Sequence, residues 1–292
     1  MIDLHVHSAH SDGTLTPEAI AGLAAARGVR TLGITDHDTV AGCLPMLAAG
    51  LRHGIEVIPG VEISAVSGEH SLHLIGYGVD PESPALKDLL LTLQESRQAR
   101  NRLMVERLNA LGIPVRLETL KQMASGSIGR PHFARLLTLL GATRDDGEAF
   151  DRYLRRGALA YADRFRPDAG EAIAAIRSSG GLTVLAHPGS LNLSAGDLRA
   201  LTADLRALGL EGIEAYHPIH NRNRVRQVIR VAEDLNLVLT GGSDYHGRDR
   251  DTSILGEYGR GRVLDDVLVQ NLKNRLEEIR CANALSPGLG TA

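Results

Sequence analysis

Short runs rich in β-branched and other apolar residues alternate with longer amphipathic stretches through most of this chain, and that alternation limits the architectures open to it. The runs are Ile2 to Val6, Thr31 to Thr35, Glu56 to Ile63, Ser71 to Tyr77, Leu182 to Ala186, Gly212 to Tyr216 and Leu237 to Thr240. The stretches between them carry helix signals. Thr16-Pro17-Glu18 gives Pro17 to Arg27 a cap and a first-turn proline. Gly180-Gly181 stops Asp168 to Ser178, Gly209 stops Ser194 to Leu208, and Asn221 to Leu235 precedes the last strand. Strand and helix in alternation predict an α/β fold with a parallel sheet and right-handed crossovers, and seven such strands predict a distorted (β/α)7 barrel of the TIM type.

One interval breaks the rule. From about residue 81 to residue 163 only helical patterns occur, over Leu86 to Leu111, Leu117 to Ala124, Pro131 to Leu140 and Gly147 to Arg156. The expected organisation is therefore a first barrel segment over 1–80, an all-helical insertion over 81–163 that caps the substrate, a second barrel segment over 164–284 and a flexible tail over 285–292. A chain of 292 residues that is 43% hydrophobic has enough apolar material for this.

Composition excludes several classes. Two cysteines, Cys43 and Cys281, make neither a disulfide framework nor a thiolate zinc site, which points to a reducing compartment and hence to the cytoplasm. The first residues lack the basic and apolar regions of a signal peptide, and no later run reaches the roughly 18 apolar residues of a membrane span, so a soluble protein without membrane contact is expected. A net charge of -3 argues against a nucleic-acid coat, and the absence of Trp with only three Phe disfavours base-stacking platforms. Lys87, Lys121 and Lys273 are the only lysines among 32 basic residues, so position alone can make an arginine informative.

The anomaly is histidine, with 12 in the chain. His5 and His7 close the first strand on one face of an extended chain, and Asp12 follows in Ser8-Ala9-His10-Ser11-Asp12-Gly13. His37 closes the second strand in Thr35-Asp36-His37-Asp38 and Glu62 closes the third in Gly60-Val61-Glu62. His73 lies in the fourth, His187-Pro188-Gly189 closes the fifth, and Asp244 and His246 close the seventh. Strand ends gather on one rim of a parallel barrel, so these nine side chains converge there. Singly, each is more often a hydrogen-bonded core or surface residue. Together they exceed what one ion needs and imply two or three divalent ions of the Mn, Fe or Zn type. His10, His53, His70 and His220 fit no such position and read as solvated residues.

These motifs resemble the polymerase and histidinol phosphatase (PHP) superfamily. The resemblance is carried by His5-Val6-His7-Ser8, Ser11-Asp12-Gly13, Thr35-Asp36-His37, Gly60-Val61-Glu62, His187-Pro188 and Ser243-Asp244-Tyr245-His246. Within it, the insertion and Gly129-Arg130-Pro131-His132 are most similar to the TrpH-like branch of phosphoesterases acting on nucleoside 3',5'-bisphosphates and the ends of short RNA. The resemblance implies one metal on His5, His7, Glu62 and Asp244, a second on Glu62, His73 and His187, and a third on Asp12, His37 and His246. Asp12 stands where some relatives have histidine. The implied ions are Mn2+, with Fe2+ or Zn2+ as alternatives, and Asp36 and Asp38 are expected to hydrogen-bond ligating imidazoles.

The implied reaction is removal of the 3'-phosphate of a nucleoside 3',5'-bisphosphate, such as adenosine 3',5'-bisphosphate, by attack of a metal-bound hydroxide without a phosphoenzyme. His5, His7, Glu62, His187 and Asp244 would carry it, with His217 on the same rim to touch phosphate or protonate the leaving oxygen. Pro131 is placed to begin a helix whose free amides lie beside Arg130, with Arg135 about one turn on, so Ser127, Arg130, His132 and Arg135 with His217 form the candidate substrate-binding set. A 5' to 3' exonuclease on short 5'-phosphorylated RNA, a histidinol phosphatase and a non-enzymatic PHP scaffold are the alternatives. No obligate protein partner is implied beyond the small nucleotide or short RNA substrate.

Overall fold

A computed structural model describes residues 1–124, 126–247 and 253–285. Seven strands form one sheet in chain order: β1 (Ile2–Val6), β2 (Thr31–Ile34), β3 (Glu56–Ser67), β4 (His70–Tyr77), β5 (Leu182–Leu185), β6 (Gly212–Tyr216) and β7 (Val238–Gly241). The sheet curls shut. Val6 bridges Tyr245, the His7 amide donates to the Tyr245 carbonyl at 2.9 Å, and the buried Asp3 carboxylate accepts from the Ser243 amide (2.9 Å) and hydroxyl (2.6 Å).

The parallel expectation needs a correction. β1–β2, β2–β3, β5–β6 and β6–β7 are parallel, but β4 runs antiparallel to both β3 and β5. β3 and β4 are joined through Gly68 and Glu69 alone, and a parallel crossover needs about a dozen residues. The fourth strand therefore descends, leaving His73 near the rim although it lies in the middle of its strand.

Helices α1 (Pro17–Ala26), α2 (Cys43–His53), α7 (Ala169–Ser178), α8 (Ala195–Ala207) and α9 (Arg222–Leu235) follow their strands, while α3 (Pro84–Ala110), α4 (Leu117–Met123), α5 (Arg130–Leu139) and α6 (Asp146–Ala149) lie between β4 and β5. Thr16 accepts from a first-turn amide of α1, as the sequence predicts, and Asn221, expected inside the helix, instead caps α9 by accepting from the Asn223 and Arg224 amides. Asp168 and Glu171 close a capping box on α7. The last helix, α10 (Val267–Leu285), sets Leu268, Leu272 and Leu276 against Ile2, Tyr77, Leu182 and Val238, sealing the floor of the barrel. Residues 286–292 of the expected tail lie outside the described residues, and Leu285 ends α10. Among the described residues no helix is long and apolar enough to cross a membrane.

The helical segment has an apolar cluster of its own, with Met104, Leu108, Leu120, Phe133, Leu137 and Leu154 at its centre. Its anchor is α3. Leu86, Leu90 and Leu93 belong to the barrel's core with Ile173 and Ile176 of α7, whereas Met104 and Leu108 of the same helix belong to the cap.

Candidate metal centre and substrate cavity

The open rim gathers ionisable groups around Glu62. The β2–β3 ladder continues past β2, with the Glu62 amide donating to the Asp36 carbonyl (3.1 Å) and the Asp38 amide donating to the Glu62 carbonyl (2.9 Å), and this sets His37 beside Glu62. Five imidazoles then reach one buried carboxylate. His73 Nδ1 and His187 Nε2 lie 2.7 and 2.9 Å from Oε1, while His37 Nδ1, His7 Nε2 and His5 Nε2 lie 3.0, 3.2 and 3.3 Å from Oε2. Opposite, Asp244 Oδ1 is 3.2 Å from His7 Nε2 and 3.4 Å from His5 Nε2, and His246 Nε2 is 3.3 Å from Asp12 Oδ1.

This donor set fits divalent ions. The Nε2 atoms of His5 and His7 face each other at 3.1 Å, and His37 Nδ1, buried and 3.0 Å from a carboxylate oxygen, has no well-aligned hydrogen bond among the described residues. Such atoms aim at a shared point rather than at one another. Among the described residues four groups have ligand atoms mutually within 4.8 Å: His5 with His7 and Glu62; His5 with His217 and Asp244; His37 with Glu62 and His73; and His7 with Asp12, His37 and His246. The structure thus brings together all nine residues singled out from the sequence. It differs from the expected grouping in that His37 faces Glu62 as well as Asp12's neighbourhood, His5 and His7 each belong to two groups, and His217, expected only beside the substrate, joins His5 and Asp244.

The backbone is bent to hold them. Asp38, His187 and Asp244 have φ of 53°, 24° and 52°, left-handed values that cost non-glycine residues about 1–3 kcal/mol each and concentrate at functional sites. Gly242 lets β7 pass close to β1, since a Cβ there would lie 2.5 Å from the His5 nitrogen and against its side chain.

Glu214 is a member of the site that the sequence reading missed. Wholly buried in β6, it accepts from His5 Nδ1 (3.0 Å) and from the His187 amide (2.7 Å). Burial opposes its charge, but His5 and His217 overcome this and hold its carboxyl at about 2. The bond leaves the Nε2 of His5 for the rim, the role carboxylates play behind ligating imidazoles. Glu214→Gln is accordingly expected to weaken metal binding about 10- to 100-fold, read by competition with a chromogenic chelator. An unchanged affinity would remove Glu214 from this role.

His217 also meets the cluster. Its Nδ1 accepts from the Ile219 amide (3.3 Å), so the proton of the neutral ring sits on Nε2, 3.3 Å from Asp244 Oδ2. His220, read from the sequence as solvated, is instead buried; it donates to the Ala215 carbonyl (2.8 Å) and accepts from the Gly189 amide (2.9 Å), bracing the turn after His187. Asp36 and Asp38 do not touch ligating imidazoles. Asp36 holds the first loop through the Ser8 amide (2.7 Å) and the Ser8 and Ser11 hydroxyls (2.7 and 2.5 Å). Asp38 pairs with Arg97 and with Arg164 (2.9 Å), and accepts from the Ser64 amide (3.1 Å).

Those arginines open a second part of the site. A cavity of about 210 Å3 runs from Asp12, His37 and His73 to Arg97, Arg100, Arg130, Arg164 and Arg166, with Tyr161 and Phe150 in its wall. Among the described residues only Asp38 and Asp163 form ion pairs with these guanidiniums. Burial and the neighbouring guanidiniums of Arg97, Arg164 and Arg130 push Arg100 well below the usual range, and burial takes Arg164 to about 10 despite Asp38. Arg97 Nε, Arg164 Nη1 and Arg166 Nε are buried without a hydrogen-bond partner among the described residues. Five guanidiniums around one space suit it to an anion.

Of the substrate-binding residues expected from the sequence, Arg130 alone lines this cavity. It is the first residue of α5, with Pro131 second. His132 is buried, its Nδ1 accepting from the Gly129 amide (3.0 Å). Arg135 is exposed away from the cavity because it follows Arg130 by more than a turn, and Ser127 lines a different one. Arg97, Arg100, Arg164 and Arg166 escaped the sequence reading; their signal was the pairing of Arg-rich stretches at both ends of the insertion.

Residues 3–156 match the PHP domain model. A 3',5'-nucleoside bisphosphate phosphatase of Chromobacterium violaceum is 36% identical over 255 residues, covering 85% of this chain and 90% of that protein. The 5'-3' exoribonuclease Rnm of Escherichia coli is 38% identical over 247 residues, 84% of each. The solved structure of an amidohydrolase from Chromobacterium violaceum with bound sulfate superposes with a TM-score of 0.84 at 34% identity, covering 94% of this chain and 96% of that one.

Proposed function

Because the chain belongs to the PHP domain family of phosphoesterases, we propose that it hydrolyses the 3'-phosphate ester of nucleoside 3',5'-bisphosphates, with the rim residues holding Mn2+ and the arginine cavity holding the 5'-phosphate. The observation that carries this is the coupling of two anion sites through shared residues: the cavity that ends at His37 and His73 begins among five arginines. A simple monoester needs only the first site.

His5, His7, Asp12, His37, Glu62, His73, His187, Asp244 and His246 are assigned as ligands. Bound divalent ions supply an activated water and neutralise charge on the phosphoryl oxygens. The protein's own groups do the rest. Arg97 and Arg164, fixed by Asp38, hold one phosphate so that the other rests at the rim, which converts remote binding into alignment of the scissile bond. His217 carries its proton on the Nε2 that faces the rim and is assigned to the leaving oxygen.

The test is phosphate release by the Mn-loaded protein from adenosine 3',5'-bisphosphate and from histidinol phosphate. The specificity constant for the bisphosphate is expected to be higher by about 100-fold or more, because histidinol phosphate leaves the arginines unpaired. A preference for histidinol phosphate would refute the proposal. Arg130→Ala is expected to raise KM for the bisphosphate by about 10- to 100-fold, the worth of a hydrogen bond to a charged group, and to change that for a phosphomonoester little. Equal effects on both would move the second phosphate elsewhere.

A further inference from the structure

The arginine cavity carries more positive charge than one phosphate answers. Its five guanidiniums, of Arg97, Arg100, Arg130, Arg164 and Arg166, have two carboxylate partners among the described residues, Asp38 and Asp163, which leaves an excess of three cations. Asp12 also lines the cavity but faces His246 on the metal side. Among the described residues Arg100 donates only to neutral oxygens, Asn101 Oδ1 (3.0 Å) and the Ile128 carbonyl (3.4 Å), and Arg130 only to the Leu154 carbonyl (3.5 Å). A phosphomonoester brings about two negative charges, so a third buried cation stays uncompensated, which is costly. A 5'-diphosphate brings about three, one on its α-phosphoryl group and about two on the terminal group.

The free donors also fall into two sets. Arg97 Nε and Arg164 Nη1 are buried without a partner among the described residues, and their counter-ion Asp38 adjoins His37 in the chain, which ties them to the rim end. Arg166 Nε is likewise buried and unpartnered, but its counter-ion Asp163 is 56% exposed, which ties it to the solvent end. Arg130 lies within electrostatic reach of both Arg97 and Arg166 and joins the two sets. We infer that the cavity seats two consecutive phosphoryl groups, the α group on Arg97 and Arg164 and the β group on Arg166, so that the substrates include nucleoside 3'-phosphates that carry a 5'-diphosphate.

The inference rests on the proposed function for its chemistry. Water adds its oxygen to the phosphorus of the 3'-phosphoryl group, the P–O3' bond breaks and O3' takes a proton. The products are inorganic phosphate and a nucleoside 5'-diphosphate, with the anhydride intact.

The test is equilibrium binding of AMP, ADP and ATP to the full chain treated with EDTA, at one ionic strength, which reads the arginines apart from turnover. ADP is expected to bind about tenfold tighter than AMP, the worth of one charged hydrogen bond, and ATP no tighter than ADP. Equal affinity for AMP and ADP would overturn the inference, and so would a further tenfold gain from ADP to ATP, the mark of a generic polyanion surface. Arg166→Gln is expected to bring the ratio of ADP to AMP affinity to within about twofold of one, whereas a merely structural role would weaken both ligands and leave the ratio, which would also overturn it. With Mn loaded, adenosine 3'-phosphate 5'-diphosphate is expected to release phosphate with a specificity constant at least equal to that of adenosine 3',5'-bisphosphate. Release from the bisphosphate alone would overturn the inference and leave the proposed function standing. If the binding order and the Arg166→Gln result hold but neither compound releases phosphate, the proposed function fails and the site for two phosphoryl groups stands.

Discussion

Glu62→Gln is expected to abolish measurable phosphoesterase activity and to lower the number of tightly held divalent ions, with the fold retained. This side chain is the common neighbour of His5, His7, His37, His73 and His187, and its two oxygens face both sides of the cluster. Glutamine keeps the volume but removes the charge and presents an amide nitrogen to imidazole nitrogens that lie about 3 Å away. The expected loss in kcat/KM is about 1000-fold or more, the scale set by removing one preorganised electrostatic group from a water-poor site. Elemental analysis after dialysis, with circular dichroism for the fold, checks it. Full metal content with activity within tenfold would mean that Glu62 bridges nothing.

Asp38→Ala is the largest expected change in stability. Its carboxylate is 1% exposed and is the shared counter-ion of Arg97 and Arg164. Burial alone would raise its pKa, but the two guanidiniums win and hold it at about 2, from an ordinary 3.8. Removing it leaves two buried cations facing each other, which costs about 3–5 kcal/mol. The sign with pH follows from the depressed value. Asp38's contribution is complete above an ordinary carboxylate's pKa near 3.8 and is lost as pH falls toward about 2. The gap in unfolding free energy between the unaltered protein and Asp38→Ala should therefore be constant from neutral pH down to about 5 and close below 4. Urea denaturation at several pH values reads it. A gap that widens on acidification would contradict the ion-pair account. The variant should also lose affinity for bisphosphates, since Arg97 and Arg164 are no longer fixed.

The metal side of the site was legible in the sequence because strand ends sort residues by position: His5 and His7, His37, Glu62, His187, Asp244 and His246 each sit where an apolar run stops. The direction of β4 was less so. Alternating burial is the same for parallel and antiparallel strands, and the gap before Ser71 was too short for a crossover, the one cue available. Glu214 and Asp3 also left a cue, each being a carboxylate inside an apolar strand. The substrate side was hidden. Arg97 and Arg100 occur in Glu95-Ser96-Arg97-Gln98-Ala99-Arg100, which reads as a solvated helical face. Their burial depends on Arg164, Asp38 and Ile128 arriving from distant segments. Arg130 stood out because proline marks a helix start, whereas Arg135 shared the motif without sharing the direction.

The 27 residues of α3 run on without interruption from the barrel's core to the cap's, a rod of about 40 Å. A rod admits no hinge. Leu86, Leu90 and Leu93 fix its lower half while Arg97 and Arg100 project from its middle, so the gap between the arginines and the rim is set by the scaffold rather than by closure around a ligand. The molecule then works as a fixed gauge. On the proposed function it measures the span between two phosphoryl groups, and compounds are admitted or refused by that span before any base is read.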